Sequence, residues 1–259
     1  MRVRKVVFAL LFSLVAVACS DNSSDEGTAG GSTDETPSTT QNNTSSTLDD
    51  DSDDDASDLD SCPDAAPIPA SAAELSEATV NFDGDGDGEN DRLATYKDGD
   101  NWWVGVEWSN GGSSRAIIDE AFMGAAAAGG YDLDGDGNDE AFVSIYGPAS
   151  GVMVGVFYRD GCDLAPVLDE DAAAPFVFPV TGSIGFFSGA SCNSIGDISL
   201  ISGELLDEEA GEYEVSEVPY SFDSTSGTLS SGFGDGGSVT FDEIGDLSQL
   251  DCGDLANAL

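Results

Sequence analysis

The chain has 259 residues, of which 51 are Asp or Glu against seven Lys or Arg and no His, a formal charge of −44 at pH 7. A chain so poor in clustered basic residues excludes nucleic acid as a partner, because phosphate binding needs Lys and Arg in groups. It excludes electrostatic docking on anionic lipid for the same reason. Without His, the nucleophile–histidine pairs of acyl-transfer enzymes cannot be built, and zinc and copper lose a preferred ligand.

Residues 1–18 carry a basic start (Arg2, Arg4, Lys5), an apolar run from Val6 and a small-residue end, Ala16-Val17-Ala18. That is the pattern of an export signal. The run is too short for a comfortable membrane span, and no later stretch is apolar for long enough to supply one. Cleavage after Ala18 makes Cys19 the first residue of the mature chain. The arrangement resembles the bacterial lipoprotein signal, with Ala16 standing where that family favours Leu. The resemblance implies a lipid on Cys19 as the sole membrane attachment, at the extracytoplasmic face of the cell envelope. An ordinary Ala-x-Ala cleavage with an unmodified cysteine, giving a secreted soluble protein, is the alternative. Parity favours lipidation, because the chain has five cysteines and an odd thiol is a liability in an oxidising compartment.

The remaining four, Cys62, Cys162, Cys192 and Cys252, allow three connectivities. Closing the largest ring removes the most unfolded-state entropy, on the order of 4–5 kcal/mol. That favours Cys62–Cys252, with Cys162–Cys192 inside it. Three of the seven basic residues leave with the signal, so four remain against 51 acidic ones. Such a charge opposes compaction unless salt or bound cations screen it, which points to a saline or calcium-rich exterior.

Residues 19–61 are rich in Ser, Thr, Asp, Gly and Asn and include the run Asp49 to Asp55, interrupted only by Ser52. Too little apolar surface is present to offset chain entropy, so this segment reads as a disordered acidic tether between lipid and globule. A coil of this length spans roughly 35 Å, and self-repulsion stretches it further.

From Cys62 to the end, alternating apolar runs separated by Gly, Asp-Gly and Asn-Gly turns predict an all-β domain. Strands are expected over 93–96, 104–108, 141–146, 152–158, 176–180, 198–201, 213–222 and 238–241. Helical signals are few: Ser71 to Ala78 could make two turns, and Leu247, Leu250 and Leu255 lie on a C-terminal turn. An internal repeat organises the domain. Asp83 to Asp91 matches Asp132 to Glu140, and Val104-Gly105-Val106, Asn110-Gly111 and Ile117 to Glu120 match Val154-Gly155-Val156, Asp160-Gly161 and Val167 to Glu170. Repeat 1 covers about 80–130 and repeat 2 about 131–180. Residues 181–259 hold degenerate copies, one around Ser191 to Leu229 without its Asp loop and a trace at Val239 to Asp242.

The two matching loops place carboxylates at positions 1, 3, 5 and 9: Asp83, Asp85, Asp87 and Asp91, then Asp132, Asp134, Asp136 and Glu140. Alternate residues of a curling loop point to one centre, and Gly88 and Gly137 at position 6 permit the turn. With the main-chain carbonyls of Glu89 and Asn138 at position 7 and water, each loop offers the hard oxygens that calcium prefers; magnesium holds its waters and demands stricter geometry. An EF-hand would need Glu at position 12 between helices. Ala94 and Val143 stand there, in strand-like sequence, so that reading fails.

The loops instead resemble the FG-GAP, or VCBS-type, repeat of integrin-alpha-like propellers, in which an Asp-rich loop runs directly into a strand. Asp132 to Glu140 leading into Ala141-Phe142-Val143 is close to that pattern, with Glu140 in place of the usual Asp, and Asp83 to Asp91 leads into Arg92-Leu93-Ala94. The resemblance covers roughly residues 80–170. It implies propeller-blade-like antiparallel repeats of about 50 residues, with two structural calcium ions. The domain is too short for seven blades, which leaves roughly four units, closed or open.

The expected function is a calcium-stabilised, lipid-anchored binding or adhesion module of the cell envelope, taking a protein or glycan ligand and performing no catalysis. A glycan-acting hydrolase using paired carboxylates and an envelope spacer that binds nothing are the alternatives. Trp102 and Trp108 share the face of Val104 and Val106 and read as core. Trp103 points the other way, where it could stack on a sugar.

Overall fold

The computed structural model describes residues 62, 67–119, 121, 123–146, 151–193 and 197–257. The expected signal (1–18), the expected lipidation at Cys19 and the expected tether (19–61) lie outside the described residues. Among the described residues no helix is long and apolar enough to cross a membrane.

The domain is all-β, as its alternating pattern predicts. Strands β1 (Ala73–Glu77), β2 (Arg92–Asp98), β3 (Asn101–Glu107) and β4 (Ser113–Ile118) form an antiparallel sheet in sequence order. A second meander follows: β5 (Gly124–Tyr131), β6 (Glu140–Tyr146), β7 (Val152–Asp160) and β8 (Asp163–Pro166). The two short strands β9 (Leu168–Asp169) and β10 (Ala174–Pro175) come next. Then come β11 (Val177–Gly182), β12 (Phe186–Cys192), β13 (Asp197–Asp207) and β14 (Glu212–Asp223). The chain closes with β15 (Thr228–Ser231), β16 (Asp235–Thr240), the four-residue helix α1 (Ile244–Leu247) and β17 (Leu250–Asp251).

Each Asp loop therefore joins a strand to a three-strand meander, β1 to β2–β4 in the first case and β5 to β6–β8 in the second. The first set stands as its own sheet. The second does not, because β7 pairs with β8 at one end and with β11 at the other. Through β11 the sheet continues in the order β12, β13, β14, β15, β9, β10, with β16 added on β14 and β17 on β12. The described strands thus form no closed ring of blades.

Alternation explains how the layers pack. Trp102, Val104, Val106 and Trp108 face one way and meet Ala125 and Ala127 of β5 and Val143 and Ile145 of β6 in one core. Phe142, on the opposite face of β6, enters a second core with Leu133, Val156, Phe178, Ile198 and Leu255. β6 is covered on both faces, and each large side chain it buries contributes about 1.5–3 kcal/mol. Trp103 points away, as expected, and the Arg115 guanidinium lies 4.1 Å from its ring centre.

Two expectations fail. Residues 73–77 are strand β1 rather than helix, with Ala73 opposite Lys97 and Glu77 opposite Ala94; sheet pairing overrides the local helical preference of Ala, Glu and Leu. The disulfides are Cys62–Cys162 and Cys192–Cys252, with Cα separations of 5.4 and 4.7 Å. Topology decides the pairing, not ring size. β17 runs parallel to β12 with Asp251 beside Ser191, which delivers Cys252 to Cys192 one residue further on.

Candidate metal centre

Each loop gathers its first three acidic side chains. Carboxylate oxygens of Asp83, Asp85 and Asp87 lie within 4.8 Å of one another, as do those of Asp132, Asp134 and Asp136. The same local devices shape both loops. The position-6 N–H donates to the position-1 carboxylate, Gly88 to Asp83 Oδ2 at 2.9 Å and Gly137 to Asp132 Oδ2 at 3.1 Å. The position-7 N–H donates to position 5, Glu89 to Asp87 at 2.7 Å and Asn138 to Asp136 at 2.8 Å. Gly88 and Gly137 have φ of 87° and 94°, a left-handed conformation that costs any residue with a Cβ.

Position 9 stands behind these clusters. Asp91 is buried and accepts from Gly84 N–H at 2.9 Å and Ser109 N–H at 2.7 Å. Glu140 is only 4% exposed and accepts from Leu133 N–H at 2.7 Å. Both tie the end of the loop back to its start. Burial pushes the Asp91 carboxyl up to about 6, the charges of Asp85 and Asp83 adding to the effect. It pushes Glu140 up to about 9, with Asp134, Asp136 and Asp132 adding.

The first loop is braced by the turn after β3: Ser109 Oγ donates to Asp87 at 2.7 Å and Asn110 Nδ2 to Asp85 at 2.6 Å. Even so, Asp83 Oδ1 is buried with no hydrogen-bond partner. Among the described residues the ion pairs of Arg92, Lys97 and Arg115 are to Glu77, Glu107, Glu74 and Asp98, not to either loop. A buried carboxylate oxygen without a donor is expensive. With the carboxylates of Asp85 and Asp87 beside it, the cluster offers hard oxygens with no nitrogen or sulfur among them, which suits a calcium-type ion. The donor set fits.

The loops also touch each other. Asp83 N–H donates to Asp139 Oδ2 at 2.9 Å, and Asp139 N–H donates to the Asp83 carbonyl at 2.8 Å. A cavity of about 520 Å³ opens between them, lined by Asp85, Asp87, Asp136, Asn138 and Arg159 among others. Arg159 lies 5.1 Å from the Trp108 ring centre and donates to the Gly161 carbonyl. Its charge opposes the upward push of burial on Asp85.

Of the four carboxylates that the sequence places in each loop, the structure gathers the first three, and it adds four supporting residues that the sequence reading missed: Ser109, Asn110, Asp139 and Arg159. One signal was available. Position 8 is Asn90 in the first loop but Asp139 in the second, a departure from the repeat at the residue that links the two. No family model, no curated protein and no solved structure matches this chain.

Proposed function

We propose that residues 62–259 form a calcium-stabilised binding module, held at the extracytoplasmic face of the cell envelope by a lipid on Cys19. Each Asp loop holds one ion, through Asp83, Asp85 and Asp87 or through Asp132, Asp134 and Asp136. Asp91 and Glu140 fix the loop from behind, and the Glu89 and Asn138 carbonyls complete the oxygen set. The observation that carries this reading is Asp83 Oδ1, a buried carboxylate oxygen without a partner inside a three-carboxylate cluster. The ion supplies charge compensation and crosslinks the loop. At ten times its dissociation constant, each ion adds about 1.4 kcal/mol of stability.

The succession strand, Asp loop, three-strand meander, occurring twice, supports the FG-GAP-type reading of residues 80–170. A binding role, rather than catalysis, follows from that resemblance by analogy of fold. Calorimetry with calcium on the purified chain tests the metal part. Two sites are expected, with a higher melting temperature than in chelator, and Asp85→Ala together with Asp134→Ala should abolish both effects. Identical melting in calcium and in chelator would refute it.

A further inference from the structure

Beside β15, the large sheet carries on β16 an edge that pairs with nothing else among the described residues. β16 pairs only with β14, and five of its six residues are exposed. The bond from Phe241 N–H to the Gly211 carbonyl sets the phase of that ladder. In antiparallel pairing alternate residues turn inward and outward, so Asp235, Gly237 and Val239 bond β14 while Gly236 and Ser238 direct their N–H groups away from it. Thr240, the third outward residue, already gives its N–H to Glu243 Oε2 at 2.8 Å.

Apolar side chains bracket this edge. Phe233, two residues before the strand, is fully exposed, and Phe241, immediately after it, is 60% exposed. Phe241 also borders an apolar groove of about 480 Å³ with Ile184 and Ile244. Unpaired strand edges recruit other strands, and soluble proteins usually blunt them with lysine, proline or a bulge. β16 has no lysine, no proline and no register shift.

Charge identifies what fits. Glu204 of β13 stands directly opposite Glu214 of β14, and Glu214 opposite Ser238. Directly opposed like charges destabilise a sheet. No Lys or Arg follows Arg159 anywhere in the chain, so the protein brings no cation of its own from this half. Gly236 and Ser238 are small, which leaves room for a long basic side chain to lie across β16 toward Glu214, about 10 Å away at two strand spacings. A second copy of this chain would bring the same negative face and be repelled.

We propose that the edge of β16 is a docking strand for an extended, Lys- or Arg-bearing polypeptide segment with apolar residues near its ends. The segment adds to the sheet through the Gly236 and Ser238 N–H groups, seats its ends at Phe233 and Phe241, and neutralises the Glu204–Glu214 pair. This names a partner for the binding role proposed above and rests on that role; it does not require calcium.

The test uses the full chain and a fluorescent peptide of alternating Lys and Val with Phe at each end, about nine residues long to match the Phe233–Phe241 span. Saturable binding that weakens with salt is expected, and a peptide with Glu in place of Lys should not bind. Ser238→Pro removes an outward N–H without touching a bond to β14 and should weaken binding by about tenfold. Phe233→Ser, at a fully exposed site, should weaken it severalfold. Equal affinity for the Lys and Glu peptides overturns the proposal, and so does unchanged affinity in Phe233→Ser, which decides the matter if the proline variant fails to fold. A wild-type dimer that Ser238→Pro converts to monomer also overturns it, making the edge a contact between copies. Calcium titrations in parallel report separately on the metal loops.

Discussion

Asp83 and Asp139 hold the two acidic loops together by a reciprocal pair of hydrogen bonds, N–H to carboxylate in one direction and N–H to carbonyl in the other. The second loop thereby fixes the backbone at the first carboxylate of the first loop. Burial raises the Asp139 carboxyl above the usual range, and the bond from Asp83 N–H opposes the shift.

Asp139→Ala should therefore weaken calcium binding at the first loop, although residue 139 belongs to the second. The unpaired Asp83 N–H costs about 1–3 kcal/mol. Calorimetry in an Asp134→Ala background isolates the first site, and an unchanged affinity there would show the loops to be independent.

The contact between the loops also separates two glycines of the same type. A Cβ on Gly86 would fall 2.6 Å from Asn138 Oδ1, whereas nothing lies within 4 Å of one on Gly135, and φ is 70° and 76°. Backbone strain in both alanine variants is about 1 kcal/mol. The Asn138 side chain can turn aside, but only Gly86→Ala also meets a backbone atom, the Gly137 carbonyl oxygen at 3.0 Å, so urea melts should rank it below Gly135→Ala.

Acidity gives a third prediction. The folded chain in chelator retains protons on Asp91 and Glu140 at pH values where the unfolded chain has released them. Stability from these groups is full below the ordinary carboxylate range. It is lost as pH rises, through about 6 for Asp91 and toward about 9 for Glu140. A cation held by the neighbouring Asp residues opposes that loss. Denaturant melts across this range should show calcium stabilising most on the alkaline side. Glu140→Gln should flatten the chelator curve relative to wild type, which separates this residue from the general repulsion of a chain at −44.

Peptide mapping without reduction should recover Cys62 joined to Cys162 and Cys192 joined to Cys252. Replacing either pair with Ser should lower stability by about 2–5 kcal/mol. The two losses should add to within about 0.5 kcal/mol, because the bridges share no partner and lie in different cores.

What the sequence made legible is what is local. The triads Asp83-Asp85-Asp87 and Asp132-Asp134-Asp136 follow from an alternation that any curling loop converts into convergence, and Gly88 and Gly137 mark the bend. Strand alternation likewise placed Trp102 and Trp108 on one face of the sheet and Trp103 on the other, where it packs beside Tyr96 and Ile68. Asp139 was illegible because its partner, Asp83, stands 56 positions away. The disulfide pairing was illegible because chain separation measures entropy and says nothing of which strands lie side by side. β1 was misread because Ala, Glu and Leu favour helix until β2 offers them a ladder.

The bridge between Cys62 and Cys162 has a mechanical consequence. Both acidic loops, at 83–91 and 132–140, fall inside the ring of chain that it closes. Traction arriving along the backbone at residue 62 passes through the sulfur–sulfur bond to the turn between β7 and β8. The bridge carries that load past the ring, so a pull on the N-terminal side of Cys62 reaches the main sheet without unravelling the two acidic loops.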